Sequence, residues 1–220
     1  MKTNVITIDG PAGTGKSTIA KTIAKILGYI FLDTGALYRT CALAVEIRKG
    51  NIEDEEECAK IISGISIKLE GSKVYLDGID VSKEIRTNRI STLSSKIASH
   101  PSVRHSMLDV QRSFSKTSSI VAEGRDTGSV VFPDADVKIY LDASPEERSK
   151  RRHLELHSKG MIVPFEQIFK DVIERDNRDQ TRESSPLMIP YNATVVDTTH
   201  MTLDEVINNV LGKIKKELPD

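Results

Sequence analysis

The sequence predicts an α/β fold, a parallel sheet flanked by helices and carrying a small antiparallel β insert. Three observations lead there. Short β-branched apolar runs alternate with amphipathic helical stretches, the pattern of strands joined by helical crossovers. A glycine-rich string, Gly10-Pro11-Ala12-Gly13-Thr14-Gly15-Lys16-Ser17, sits between the first strand and the first helix. A stretch of two-residue alternation, Ser63 to Ile85, interrupts the helical pattern.

Val5-Ile6-Thr7-Ile8-Asp9 reads as a buried strand stopped by Gly10-Pro11. Ser17 to Leu27 is helical, with Ile19, Ile23, Ile26 and Leu27 on one stripe and Gly28 as its C-cap. Tyr29 to Leu32 is a second strand, Gly35 to Arg48 a helix closed by Gly50, and Asp54 to Ile62 a helix opened by acids. Ile65, Ile67 and Leu69, then Val74 and Leu76, then Ile79 and Val81 alternate around turns at Glu70-Gly71-Ser72 and Asp77-Gly78. Helices follow over Ile90 to Ser99 and Pro101 to Phe114, broken where Pro101 disfavours helix at His100. Ser119 to Glu123 and Val137 to Asp142 are strands. A helix starts at Pro145 and its basic stretch runs to Gly160; another covers Pro164 to Asp176. Thr194 to Asp197 is the last strand and Leu203 to Leu218 the closing helix.

Composition bounds the function. A chain of 220 residues with 38% hydrophobic and 29% charged residues builds one core and is not a disordered chain. Its formal charge of −1 offers no case for nucleic-acid binding through bulk electrostatics. Two cysteines, Cys41 and Cys58, make neither a disulfide framework nor a structural zinc site, and they read as half-buried side chains. No apolar run approaches the roughly 20 residues of a membrane span, and the first nine residues are too short and polar for a signal peptide. A soluble, cytoplasmic protein with no membrane or nucleic-acid partner is the expectation. His153 and His157 are four apart, a spacing zinc sites use, but lack a third ligand and read as helix surface.

The glycine-rich string matches G-x-x-x-x-G-K-[ST] in the strand–loop–helix context the motif requires, which makes the fold of the P-loop NTPase type. Glycines let successive N–H groups curl around phosphate oxygens, and the helix N-terminus adds partial positive charge. Residues Gly10, Pro11, Ala12, Gly13, Thr14, Gly15, Lys16, Ser17 and Thr18 are therefore candidate ATP ligands, with Lys16 on the β- and γ-phosphates and Ser17 on Mg²⁺. The bland alternative is a glycine turn that merely joins strand to helix.

Three later clusters bear on the acceptor: Asp33 to Arg39, Ala122 to Gly128, and Glu174 to Arg182 with Arg175, Arg178 and Arg182 at i, i+3 and i+7. Arginine forks suit phosphate recognition. The alternative for the last cluster is a solvated helix face laced with ion pairs.

The strings Leu-Asp-Thr-Gly-Ala-Leu-Tyr-Arg (32–39), Lys-Glu-Ile-Arg-Thr (83–87), Glu-Gly-Arg-Asp-Thr-Gly-Ser-Val-Val-Phe-Pro-Asp-Ala (123–135), Leu-Asp-Ala-Ser-Pro-Glu-Glu-Arg (141–148) and Glu-Arg-Asp-Asn-Arg-Asp (174–179) follow the phosphate loop in that order. With them the chain resembles the bacterial cytidylate kinases, nucleoside monophosphate kinases with an enlarged monophosphate-binding insert. The resemblance runs from Val5 to Ile214. It implies a single kinase domain over 1–220, with core segments 1–62, 86–147 and 183–220, an insert at 63–85 and a helical lid at 148–164. It implies ATP and Mg²⁺, with CMP and dCMP as acceptors, and a monomer by analogy. Thr34 then lies near the pyrimidine, and Ser95, Arg104 and Asp126 recognise the cytosine edge. Arg39, Arg125 and Arg182 hold the acceptor phosphate, and Arg175 and Asp179 lie near the sugar. Arg151 and Arg152 belong to the lid, with Arg151 on ATP. Lys16, Arg125 and Arg182 carry the catalytic charge. Glu123 stands where some relatives have Asp, which leaves its reach toward magnesium or water open. A kinase of the same architecture acting on another monophosphate or on an alcohol, and a nucleotide-dependent switch, are the competing readings.

Overall fold

The computed structural model describes residues 3–71, 73–158 and 160–218. Met1 and Lys2 of the amino-terminal stretch, Ser72 of the first hairpin turn, Lys159 of the lid range, and Pro219 and Asp220 lie outside the described residues. In chain order the elements are β1 (Val5–Asp9), α1 (Lys16–Leu27), β2 (Ile30–Asp33), α2 (Thr34–Ile47), α3 (Glu55–Ser63), β3 (Ile67–Glu70), β4 (Lys73–Leu76), β5 (Ile79–Asp80), α4 (Asn88–Ile97), α5 (Pro101–Ser113), β6 (Ile120–Gly124), β7 (Val137–Asp142), α6 (Pro145–Ser158), α7 (Phe165–Thr181), β8 (Thr194–Asp197) and α8 (Leu203–Glu217). The contacts divide the chain into two compact units, residues 1–31 with 118–220 and residues 32–117.

The first unit is built on a five-stranded sheet of order β2-β6-β1-β7-β8, in which β1 runs parallel to β6 and β7, and β7 to β8. Its central strands β1, β6 and β7 are near-continuous apolar runs because they are enclosed on both faces. Ile6 and Ile8 of β1, Val121 of β6 and Ile139 and Leu141 of β7 form one core with Ile19 and Ile23 of α1 and Val206, Val210 and Ile214 of α8. The α1 stripe read from the sequence faces this core, except Ile26, which is exposed. A capping box starts α8, with Thr202 Oγ1 and Glu205 serving each other's backbone N–H groups.

The second unit packs α2 to α5 around Ala42, Val45, Ile62, Ile97 and Val103, with the three-stranded antiparallel sheet β3-β4-β5 joined to that core through Val74 and Leu76. The register pairs Ile67 with Leu76 and Leu69 with Val74, so the alternation seen in the sequence places one apolar face inward. The break at His100-Pro101 falls between α4 and α5 as expected. Cys41 and Cys58 are fully buried here, not half-buried, because both face the helix-packing core; burial pushes their thiols up to about 12 and about 11.

One boundary and one added turn differ from the expectation. The helix expected to stop at Asp176 continues to Thr181, since neither glycine nor proline falls between Phe165 and Ser185. Arg182 is the C-cap, with extended backbone, so it leaves the helical face that Arg175 and Arg178 share. Residues Thr127–Val131 form one wide helical turn that periodicity does not announce, closed by Phe132 N–H donating to Thr127 O at 2.7 Å.

Candidate active site

The phosphate loop leaves β1 at Gly10, whose φ of +145° only glycine tolerates; a Cβ there would lie 2.0 Å from the Leu141 carbonyl oxygen of β7. Gly15 caps α1, so the helix N-terminus opens at Lys16. Lys16 is buried and curls over its own loop, its Nζ donating to Pro11 O and to Thr14 Oγ1 at 3.3 Å. Burial drives its ammonium well below the ordinary lysine range, and the Arg125 charge adds to that. The Ser17 hydroxyl donates to Glu123 Oε1 at 2.5 Å, while Thr18 is exposed in the first turn of α1. The parallel register that pairs Asp9 with Gly124 sets Glu123 at the carboxyl end of β6, beside the loop.

Asp9, which the sequence reading treated only as the end of a strand, is completely buried. Its carboxylate accepts from Thr127 N–H at 2.9 Å, Thr127 Oγ1 at 2.7 Å and Gly128 N–H at 2.7 Å. The last residue before the phosphate loop is thereby locked to the segment that carries Arg125 and Asp126. Burial raises its carboxyl to about 6 against the pull of those three donors. The sequence signal is there in hindsight, an acid closing an apolar strand one residue before a loop glycine.

The same unit gathers the arginines of two sequence clusters. Arg125 Nε donates to Asp179 Oδ2 of α7 at 2.8 Å, and Arg175 Nε lies 3.9 Å from the same oxygen. Arg182 donates from Nε to Ser185 O at 2.7 Å, and its Nη2 lies 3.6 Å from Asp126 Oδ1. Burial alone would raise the Asp179 carboxyl, but Arg125, Arg175 and Arg182 outweigh it and hold the group below the usual carboxylate range. The third cluster is thus no solvated face laced with ion pairs; Asp176 and Asp179 are buried among guanidiniums. Arg151 goes elsewhere: its Nη1 and Nη2 donate to Thr198 Oγ1 and O at 3.0 and 2.6 Å, and its Nε to Glu147 at 3.2 Å. Arg152 pairs with Glu155 at 2.7 Å on the outer part of α6, and the His153 ring meets Phe165 edge-on.

The second unit holds its own set. Asp33 caps α2 through Ala36 N–H and takes Arg39 Nη2 at 2.9 Å; Arg39 Nε is buried without a hydrogen-bond partner among the described residues. Thr34 is buried in the first turn of α2. Arg104 stands over the Tyr38 ring, 5.2 Å from its centroid, and its Nη1 donates to Ala98 O at 3.1 Å. The Ser95 hydroxyl is buried and likewise lacks a partner among the described residues. Thr34, Arg39, Ser95 and Arg104 therefore belong to one unit, and Arg125, Asp126, Arg175, Asp179 and Arg182 to the other.

Comparison with known proteins reads the whole arrangement at once. The model of the family described as cytidylate kinase matches residues 6–216. The chain belongs to the cytidylate kinase family. It is 44% identical over 220 residues to the cytidylate kinase of Aeromonas salmonicida strain A449, covering 98% of this chain and 96% of that one. It is 45% identical over 218 residues to that of Thermodesulfovibrio yellowstonii, covering 97% and 98%. Among solved structures it resembles TT1252 from Thermus thermophilus, with a TM-score of 0.51 and 19% identity over the full length of both chains, a likeness of fold. Membership of the cytidylate kinase family makes the chain a phosphotransferase. Among the described residues no helix is long and apolar enough to cross a membrane.

Proposed function

We propose that this enzyme transfers the γ-phosphoryl group of ATP to the phosphate of CMP and dCMP, releasing ADP with CDP or dCDP. The observation that carries the reading is the set of guanidiniums, Arg125, Arg175 and Arg182, braced by buried carboxylates in the unit that also holds the phosphate loop. Phosphoryl transfer asks for two anions in line and for charge neutralisation, with no protein nucleophile. In this reading residues 10–18 bind the triphosphate and Lys16 follows the γ-phosphoryl group. Arg125 and Arg182 hold the acceptor phosphate, and Arg39 is a further proposed phosphate ligand. Asp179 orients Arg125, and with Arg175 it stands near the sugar.

Asp126 accepts from the exocyclic amine of cytosine, and Ser95 and Arg104 are the proposed donors to the rest of its edge, with Thr34 nearby. A site that hydrogen-bonds an amine rejects a carbonyl in its place, since buried polar groups would stay unpaired. The Ser17 hydroxyl and Glu123 carboxylate are hard oxygen donors of the kind Mg²⁺ takes, and the ion would screen phosphate charge when ATP brings it. Arg151 is the proposed lid contact to ATP. Its bonds to Thr198 would then hold the start of the lid helix against the β8–α8 connection. Closure of residues 148–164 would shut out water, which would otherwise hydrolyse ATP. The enzyme is proposed to act as a monomer in the cytoplasm.

The test is a coupled ATP-consumption assay across CMP, dCMP, UMP, AMP and GMP, run with the parent and Asp126→Ala. CMP and dCMP should be the best acceptors, and the variant should lose more kcat/KM with CMP than with UMP. A higher kcat/KM with UMP, AMP or GMP than with CMP, or slow hydrolysis unaffected by any acceptor, would overturn the assignment in favour of a different acceptor or a nucleotide switch. An unchanged CMP/UMP ratio would remove Asp126 from base reading.

A further inference from the structure

Arg148 is the first residue of the lid range, yet its side chain is only 4% exposed. Its guanidinium joins three elements. Nε donates to Ala143 O after β7 at 2.9 Å. Nη1 donates to the Ala12 carbonyl of the phosphate loop at 3.1 Å and makes an ion pair with Asp176 Oδ2 of α7 at 2.6 Å. The Cβ and carbonyl oxygen of Arg148 both lie 3.0 Å from where a Cβ on Gly13 would stand, so the backbone of α6 is packed directly on the loop.

We propose that Arg148 is a positioning residue for phosphoryl transfer: it fixes the Ala12–Gly13 peptide of the phosphate loop and ties that peptide to α7 through Asp176. The peptide needs fixing. Gly13 sits at φ +82°, and a glycine accepts either sign of φ, so the unit before it can flip at little steric cost. A flip would turn the Ala12 carbonyl, a negative pole, toward an anion and withdraw the Gly13 N–H. A guanidinium on that carbonyl opposes the flip and supplies positive charge in the same place. A stability role explains the pair less well. Asp176 Oδ1 is buried with no hydrogen-bond partner among the described residues, and an ion pair with an unsatisfied oxygen gains little over apolar packing. Asp176 anchors the arrangement on α7.

The inference rests on the phosphate loop binding ATP, and the experiment separates the two. Dissociation constants for ATP and for CMP are measured on the parent, R148K and R148M/D176L, with melting temperatures alongside. Removing both charges together spares the double variant a lone buried carboxylate. It should melt close to the parent, yet bind ATP about tenfold or more weakly, the scale of one lost charge-assisted hydrogen bond, with CMP binding within about threefold. R148K, which keeps the charge but not the fork, should fall between, and it carries the test should the double variant not fold. ATP affinity within about threefold of the parent in both variants, or equal losses for ATP and CMP, would overturn the Arg148 role alone. A parent that binds CMP but no ATP would overturn the phosphate-loop reading and this proposal with it.

Discussion

Arg182 stands where α7 ends, and that position explains its proposed use. One residue earlier it would point along a helical face; as the C-cap, with extended backbone, it donates to Ser185 O and reaches Asp126. Arg125 is placed by the opposite device, a strand end, and is anchored on Asp179. A guanidinium has five N–H donors in a fixed fork, which is what a phosphate clamp requires. Replacing Arg125 or Arg182 by alanine should lower kcat by about 10³-fold, the scale of a lost transition-state arginine. Steady-state kinetics at saturating ATP and CMP reads this directly, and activity within tenfold of the parent in both variants would take them out of the mechanism. Lysine at either position should recover only part of the rate, because a point charge does not reproduce the fork.

Among elements, the end of β1 is the junction of the active site. The strand delivers Asp9 into the wide turn Thr127–Val131 and then starts the phosphate loop, so one carboxylate coordinates two functional segments. Its titration gives a stability signature of known sign. The folded carboxyl titrates near 6, against 3.8 for the free side chain. Between those values the folded chain holds the extra proton, so Asp9's contribution to stability is largest at low pH and declines as pH rises to about 6. Urea unfolding of the parent and Asp9→Asn at pH 5 and pH 7 should show it. The variant is less stable at both, since its amide N–H₂ faces a backbone donor, but the gap narrows at pH 7. Each unit of pH within the window is worth at most about 1.4 kcal/mol. A gap that widens with pH would contradict the assignment.

Across the whole molecule, each unit has its own core and its own share of the proposed ligands: the triphosphate loop and most acceptor arginines in one, and Thr34, Arg39, Ser95 and Arg104 in the other. Ligands that bind only the folded chain stabilise it by mass action, about 2.7 kcal/mol at one hundred times the dissociation constant. For a chain of this length that corresponds to a rise in Tm on the order of 5–10 °C. ATP alone and CMP alone should each raise Tm in the parent. Arg182→Ala should keep most of the ATP shift and lose most of the CMP shift, as read by differential scanning fluorimetry. Equal loss of both shifts would mean that Arg182 holds the fold together rather than the acceptor.

What the amino-acid sequence determined by itself was local or nearly so. The phosphate loop was legible because its chemistry lies in eight consecutive residues, Gly10 to Ser17. The apolar strands, the insert's alternation and the proline break before α5 were legible because periodicity and φ restrictions act over a few residues. The strings around Arg39, Arg125 and Arg175 carried the family resemblance. Tertiary structure alone decided the rest. Asp9 meets Thr127 across more than a hundred residues, and Arg148 meets Ala12 from 136 residues away. Arg125 finds Asp179 only because α7 runs a full turn beyond its expected end. A buried charge acquires its role from the partners that burial brings to it. Those partners are chosen by sheet order and helix packing, which no local window of sequence encodes.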